Sequence, residues 1–329
     1  MNGLLRYKLL ILLGKGGVGR TTIASALAQW SASEGRKTLL VGVDSIDSLA
    51  TIFKCSVPGV EPVVVSEYLD LLSIDLQEVL DQFMIKTIRI RSLAEKLLSN
   101  PVYRYFSAVA PGFRELLALD RIRKISEIEP GAPGWYDTII VDGPATGHGI
   151  SFMAVPNAAQ KTFPVGPLHT RAGHIETWLQ DQKNTAVVLS TLAEETPVSE
   201  TNQLYHTLIN DLQIPVKALV VNSVYPEPMP AYPDYVLDGL LSRKSTLQKS
   251  VKELLASEIG ITGARLAVDA LDFAWDRRSL NVHHMNELLE QISTPYCEVP
   301  RFHANLHPLD LIEKVSQTLK RAFSQLEEE

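Results

Sequence analysis

The sequence predicts an α/β protein built on a doubly wound, mostly parallel sheet, and three observations carry that prediction. A glycine-rich stretch, Gly14-Lys15-Gly16-Gly17-Val18-Gly19-Arg20-Thr21-Thr22, stands between an apolar run of strand character and a run with helix propensity. Further apolar runs, Leu39-Leu40-Val41-Gly42-Val43, Ile139-Ile140-Val141 and Ala218-Leu219-Val220-Val221, have the composition of strands buried on both faces. These runs alternate with segments of helical period, as expected of a parallel sheet covered on both sides.

Taken in order, Lys8-Leu9-Leu10-Ile11-Leu12-Leu13 reads as the first strand, and Ile23-Ala24-Ser25-Ala26-Leu27-Ala28 opens a helix over 21–34. Strands are then expected at 37–43, 71–74, 137–141, 185–190, 216–221 and 296–299, with helices over 170–182, 199–212 and 308–326. Two stretches break the alternation. In 76–130, Leu76, Val79, Leu80, Phe83, Leu93 and Leu97 recur at helical spacing; in 234–294, Leu247, Val251, Leu254, Leu255, Leu266, Ala270, Leu271 and Ala274 do so. The expected division is a nucleotide-binding core of 1–75, 131–233 and 295–329, with 76–130 and 234–294 packed together as an inserted helical lobe.

The chemistry of the glycine loop is phosphate binding. Glycines tolerate positive φ and let the backbone approach phosphate oxygens. The free N–H groups at the following helix start then face the anion, aided by the helix dipole. A ligand-free glycine turn is the competing reading, and the strand, the helix and the Thr21-Thr22 pair argue against it. The loop departs from G-x-x-x-x-G-K-[ST], because Arg20 occupies the lysine position and Lys15 follows the first glycine directly. An early lysine marks the deviant Walker A loop of nucleotide ATPases that act as dimers, in which it crosses to the partner's nucleotide.

Two carboxylates complete the site. Asp142 ends the apolar strand 137–141, where it can hold Mg²⁺, through a water if the ion keeps its hydration. Thr21 supplies a hydroxyl ligand. The following Gly143-Pro144-Ala145-Thr146-Gly147-His148 is expected to be a switch that moves with the γ-phosphate. Asp44, at the end of strand 37–43, is expected to orient or deprotonate the attacking water, since loops at the carboxyl ends of parallel strands converge on the ligand crevice. Its alternative is a helix cap shared with Ser45 or Asp47.

Composition narrows the class. The chain has 329 residues, a net charge of −7 and 45% hydrophobic residues, which fits a soluble enzyme and gives nonspecific nucleic-acid binding no support. No apolar stretch approaches the roughly 20 residues that span a bilayer. The N-terminus leads into the first strand, so no signal peptide is expected. Two cysteines, Cys55 and Cys297, suggest a reducing cytoplasm and no disulfide framework.

Gly14–Thr22, the Val43-Asp44-Ser45 strand end and Asp142–His148 together resemble the ArsA-type ATPases, a family that includes the arsenite-efflux pump ATPase and the targeting factor for tail-anchored membrane proteins. The similarity extends to Gly166-Pro167-Leu168, Pro197-Val198-Ser199-Glu200-Thr201 and Val220-Val221-Asn222, and so spans most of the chain. The family's switches usually read Asp-Pro-Ala-His and Asp-Thr-Ala-Pro-Thr-Gly-His-Thr; here they read Asp44-Ser45-Ile46-Asp47 and Asp142-Gly143-Pro144-Ala145-Thr146-Gly147-His148-Gly149. The resemblance implies a Mg²⁺- and ATP-dependent homodimer with a helical lobe in the same two positions.

Carried over by position, it makes Lys15 the signature lysine and Asp44 the water-activating aspartate. Gly14, Gly16, Gly17, Val18 and Gly19 form the phosphate cradle, and Arg20 is left to grip the β- and γ-phosphates. Thr21 and Asp142 hold Mg²⁺ and Thr22 meets the α-phosphate. Asn222 reads the adenine edge, with Pro300 and Arg301 wrapping the base. A guanidinium is a planar fork and not a compact ammonium, so Arg20 predicts ATP binding more firmly than fast hydrolysis.

The family's arsenite site needs a cluster of thiols and its zinc-bridged members a Cys-x-x-Cys pair; this chain has neither, so no zinc and no thiol-based metalloid site is expected. The histidines are not expected to form a metal site either: His283 and His284 are adjacent, so on a helix they should point apart, and with His303 and His307 they read as surface or half-buried side chains. Met84, Ile85, Ile88, Ile90, Phe106, Val109 and Phe113 offer apolar surface for a hydrophobic protein client, or else form the lobe's own core. The functional expectation is a cytoplasmic, dimeric ATPase whose nucleotide state reshapes the helical lobe to gate a protein client or membrane partner. The alternatives are a nucleotide-sensing module with little hydrolysis and a positioning or partitioning ATPase.

Overall fold

Five successive buried residues, Leu9–Leu13, form β1 at the centre of the sheet. A computed structural model describes residues 3–43, 46–56, 59, 61–88, 96, 112–144, 149–228, 246–302 and 305–324. β1 lies parallel between Thr138–Asp142 and Thr185–Leu192, with Leu12 in register with Asp142 on one side and Val188 on the other. In chain order the strands are β2 (Thr38–Val43), β3 (Val63–Ser66), β4 (Leu69–Ile74), β5 (Thr138–Asp142), β6 (Thr185–Leu192), β7 (Val216–Val224) and β8 (Tyr296–Pro300). They run β3-β4-β2-β5-β1-β6-β7-β8 across the sheet, and all the pairings except β3 with β4 are parallel.

The helices are α1 (Arg20–Ser33), α2 (Ile46–Phe53), α3 (Leu76–Thr87), α4 (Phe113–Ser126), α5 (Gly149–Thr162), α6 (Pro167–Leu179), α7 (Glu195–His206), α8 (Thr246–Leu289) and α9 (Pro308–Phe323). Alternate side chains of a strand face opposite sides of a sheet, and β1 follows that rule. Leu9, Ile11 and Leu13 pack in one core with Leu116, Leu119 and Ile122 of α4, Phe152 of α5 and Ile175 of α6. Leu10 and Leu12 pack in the other core with Ile23 and Leu27 of α1 and Val315 and Leu319 of α9. Both faces are covered, which is why the strands read as unbroken apolar runs.

The doubly wound, mostly parallel sheet foreseen in the sequence is therefore present. The expected strands coincide with β1, β2, β4, β5, β6, β7 and β8. Edge strand β3 was not foreseen, nor were helices α2 and α5. β3 is only four residues long, Val63-Val64-Val65-Ser66, half-exposed in alternation and irregular in register between Val64 and Ser66, so its valine triplet is shorter than the buried apolar runs of the inner strands. α5 carries Pro156 inside the helix, a residue that argues against helix on its own.

The described parts of the two helical stretches join the sheet's core directly. α3 starts at Asp75, whose carboxylate accepts from the Glu78 N–H at 2.7 Å as an N-cap. Leu76, Val79 and Leu80 of α3, and Met285 and Leu288 of α8, belong to the same buried core as α4. α8 is broken at Gly260, which takes φ 77 and ψ 162. Beyond that break Ala264 and Val268 are buried, while Leu266, Phe273 and Leu280 face outward.

Candidate functional site

The glycine loop connects the carboxyl end of β1 to α1, and neighbouring strands fix its course. Gly17 and Gly19 take φ 88 and φ 87, conformations that side-chain-bearing residues rarely adopt. Close approach adds a second requirement: a Cβ on Gly14 would lie 2.2 Å from the Ser190 carbonyl oxygen, and one on Gly19 2.2 Å from Asn222 Nδ2. Asn222 Nδ2 donates to the Val18 carbonyl at 2.9 Å, and Ser190 Oγ donates to the same carbonyl at 3.4 Å. β6 and β7 thus clamp the loop from behind. Gly19 is the N-cap of α1 and makes no side-chain cap bond. The first N–H groups of a helix have no acceptor within it, so this terminus can serve an anion.

Beside the loop, Thr21 Oγ1 donates to Asp142 Oδ2 at 2.7 Å. Asp142 is buried at the end of β5, adjacent to β1, so the sheet order itself brings these two oxygens together. A hydroxyl and a carboxylate at that spacing are hard oxygen donors, the kind that Mg²⁺ takes. The cradle that Cβ atoms would fill and this oxygen pair fit a magnesium-bound phosphate.

Arg20 is only 6% exposed, and its guanidinium turns to the end of β5. Its Nη1 donates to the Gly143 carbonyl at 3.0 Å and to the Pro144 carbonyl. Burial lowers its pKa from the ordinary value, while nearby Asp142 works in the opposite direction. Lys15 instead points outward, and its ammonium pairs with Glu200 of α7 at 2.7 Å with both side chains well exposed. Gly16 is exposed and Thr22 half-buried in the first turn of α1. Asp44, Thr146, Gly147 and His148 lie outside the described residues.

A cavity of about 520 Å³ adjoins the loop, bounded by Gly17, Glu194, Asn222, Asn281, His284 and Arg301. Arg301 sits 5.0 Å above the Tyr225 ring, and its N–H donates to the Val224 carbonyl at 2.8 Å. Pro300 is half-buried within β8, paired in register with Val224. The structure therefore brings Asn222 and Arg301 to the cavity beside the loop and sets Pro300 one residue back in the strand.

Sequence reasoning missed Asn281 and Ser190. Asn281 Oδ1 accepts from the Tyr225 N–H at 2.9 Å, and its Nδ2 donates to the Ala193 carbonyl at 3.0 Å, tying two rims of the cavity together. Its visible signal is an amide on the buried side of α8. A larger cleft of about 1050 Å³ borders Lys8, Trp135 and Trp178. It lies at the amino end of β1, the opposite end of the strand from the loop, whereas ligands of parallel sheets bind at carboxyl ends.

One expectation from the sequence needs revision. His283 and His284 do not point apart: their ring centroids are 5.2 Å apart, and both rings meet Glu287. Of the two readings of the apolar residues between 84 and 113, core packing holds for Met84 and Phe113, which pack against the buried core, Phe113 edge-on to Phe83 at 5.5 Å. Ile85 is exposed, whereas Ile90, Phe106 and Val109 lie outside the described residues.

A glycine loop at the carboxyl end of a central parallel strand, with a threonine hydroxyl against a strand-end aspartate, defines a P-loop nucleotide hydrolase fold. A family model described as "Anion-transporting ATPase" matches residues 7–165 and 165–257, and the chain belongs to this ArsA-type family. Relatives include the protein named ATPase BagA of Mycobacterium tuberculosis, 28% identical over 67% of this chain and 66% of its own length. A protein of Aquifex aeolicus named putative arsenical pump-driving ATPase 2 is 27% identical over 73% of this chain and 86% of its own. A Paramecium tetraurelia protein named ATPase ASNA1 homolog 2 is 26% identical over 45% of this chain and 44% of its own. The match to the mycobacterial relatives thus spans about two thirds of their length. Among the described residues, no helix is long and apolar enough to cross a membrane.

Proposed function

We propose that the protein is a Mg²⁺-dependent ATPase acting as a homodimer, whose nucleotide state is passed to its helical segments to gate a hydrophobic protein client. The observation that carries this reading is the Thr21–Asp142 hydrogen bond of 2.7 Å beside the glycine loop. In this reading the N–H groups of Gly16 to Thr22 receive the phosphates, Thr22 on the α-phosphate, and Thr21 and Asp142 hold the metal. Bound Mg²⁺ supplies charge neutralisation on the β- and γ-phosphates. Arg20 shares the triphosphate's charge, and Asp44 orients the attacking water.

Lys15 is the residue offered to the second subunit. It extends from the loop and is held by exposed Glu200, a pair weak enough to exchange for a phosphate of the partner's nucleotide. In this reading Asn222, Arg301 and the 520 Å³ cavity receive the base and ribose, and the Arg301 guanidinium over the Tyr225 ring supports it.

Transmission runs from Asp142 into Gly143 and Pro144, which Arg20 grips. In this reading 76–130 and 234–294 are the responding helical part, beside a core of 1–75, 131–233 and 295–329. Client binding is assigned to α8, where Leu266, Phe273 and Leu280 recur every seven residues and are 64%, 53% and 50% exposed. A metalloid cargo finds little support: the chain has two cysteines, and burial pushes the Cys297 thiol up to about 12.

One observation favours a second reading, a nucleotide sensor with little turnover: Arg20 is engaged by two switch carbonyls. Steady-state phosphate release from wild type and Asp44→Asn separates the two. Turnover in wild type, abolished in Asp44→Asn while ATP still binds, supports the ATPase. Equal inactivity of both with ATP bound supports the sensor.

A further inference from the structure

On α8, His283, His284 and Glu287 form a group that the nucleotide chemistry does not use. His284 Nδ1 lies 2.9 Å from Glu287 Oε2, and His283 Nε2 lies 3.6 Å from Glu287 Oε1. One donor atom from each of the three residues lies within 4.8 Å of the others. The spacing explains the convergence. His283 and Glu287 are one helical turn apart, and His284 reaches the same carboxylate at i, i+3. A single His–Glu pair at that spacing is an ordinary solvated ion pair, worth little. The third donor changes the chemistry, because two imidazoles and a carboxylate on one face match a three-ligand set that leaves coordination positions open.

We infer that His283, His284 and Glu287 form a binding site for one divalent transition-metal ion, of the class of Zn²⁺, Co²⁺ or Ni²⁺. The donor types select that class: imidazole nitrogen suits these ions, whereas the all-oxygen Thr21–Asp142 pair suits Mg²⁺. The two sites therefore do not compete for one ion. The helix holds the donors already converged, so little ordering is needed on binding. His283 and Glu287 are exposed, which gives the ion an entry path, while His284 is half-buried and also borders the cavity with Gly17 and Asn222. A metal there would fix the His284 ring at the cavity wall.

The test is titration of the purified, chelator-treated full chain with Zn²⁺ by calorimetry, and with Co²⁺ by visible absorption, in wild type, His283→Ala and Glu287→Gln. Both variants change exposed side chains on a helix surface, and circular dichroism checks that each remains folded. The inference expects one ion per chain in wild type, Co²⁺ absorption bands indicating nitrogen and oxygen ligation, and affinity at least about tenfold weaker in each variant. A wild-type chain that takes up no ion, or variants that bind as tightly as wild type, would overturn it.

Discussion

Arg20, in the first turn of α1, reaches across to β5 and donates to the Gly143 carbonyl at 3.0 Å. The same guanidinium nitrogen also donates to Pro144, so one buried cation fastens the first turn of α1 to the segment that leaves β5. The planar fork suits two adjacent carbonyls better than an ammonium does. Arg20→Ala should therefore lower stability by about 1–3 kcal/mol, as two buried carbonyls lose their donor. Arg20→Lys should recover only part of it. Thermal melting of the three proteins without nucleotide checks the order, wild type above Arg20→Lys above Arg20→Ala.

Magnesium dependence should reside in the Thr21–Asp142 pair. Thr21→Ala removes the hydroxyl and Asp142→Asn removes the charge that a hard cation needs. Each variant should lose the Mg²⁺-dependent gain in ATP affinity, about tenfold or more. Affinity in excess EDTA should stay close to that of wild type. Titration of ATP with and without Mg²⁺ reads both quantities on the same samples.

Lys15 should matter to turnover and hardly at all to folding. Its pair with Glu200 is solvent-exposed, so Lys15→Ala should shift stability by less than about 1 kcal/mol. If Lys15 serves the partner's nucleotide, turnover should fall by about 10²-fold. Mixing Lys15→Ala with a nucleotide-binding-deficient chain should then show turnover that depends on which subunit carries which defect, measured as phosphate release.

Much of the site could be read in the sequence because its demands are local. A sharp loop that grips phosphate admits few residue types, and Gly14, Gly17 and Gly19 satisfy constraints of close approach and positive φ within six positions. Asp142 is legible because an unbroken apolar strand places it. Asn281 and Ser190 were not legible, because their bonds reach residues 88 and 172 positions away. The histidine pair was misjudged for a related reason. Adjacent residues diverge on a helix, but both rings can swing toward a carboxylate one turn further on, and Glu287 is that carboxylate. In the fold, β3 and α5 escaped because one is a half-exposed edge and the other carries a helix-interior proline.

Acid sensitivity should show at the α4–α6 contact. Asp120 is only 3% exposed, and burial alone would raise its pKa. Hydrogen bonds from Lys124 and Arg123, with the charge of Arg171 on α6, outweigh burial and hold the carboxyl below its ordinary value. Its contribution is therefore fully present above the unfolded value near 3.8 and is lost as pH falls through the lower folded value. Asp120→Asn should lose about 1–3 kcal/mol at neutral pH. The gap to wild type should close as pH falls below 4, as followed by urea denaturation at several pH values.

The central claim is that the glycine loop binds the triphosphate, and calorimetric titration of Mg²⁺-ATP into the purified chain tests it most directly. Wild type should bind one nucleotide per chain. Gly19→Val should bind none, since its side chain would meet Asn222 Nδ2, 2.2 Å from the added Cβ, at φ 87. Absence of binding heat in wild type, or equal binding by Gly19→Val, would contradict the account.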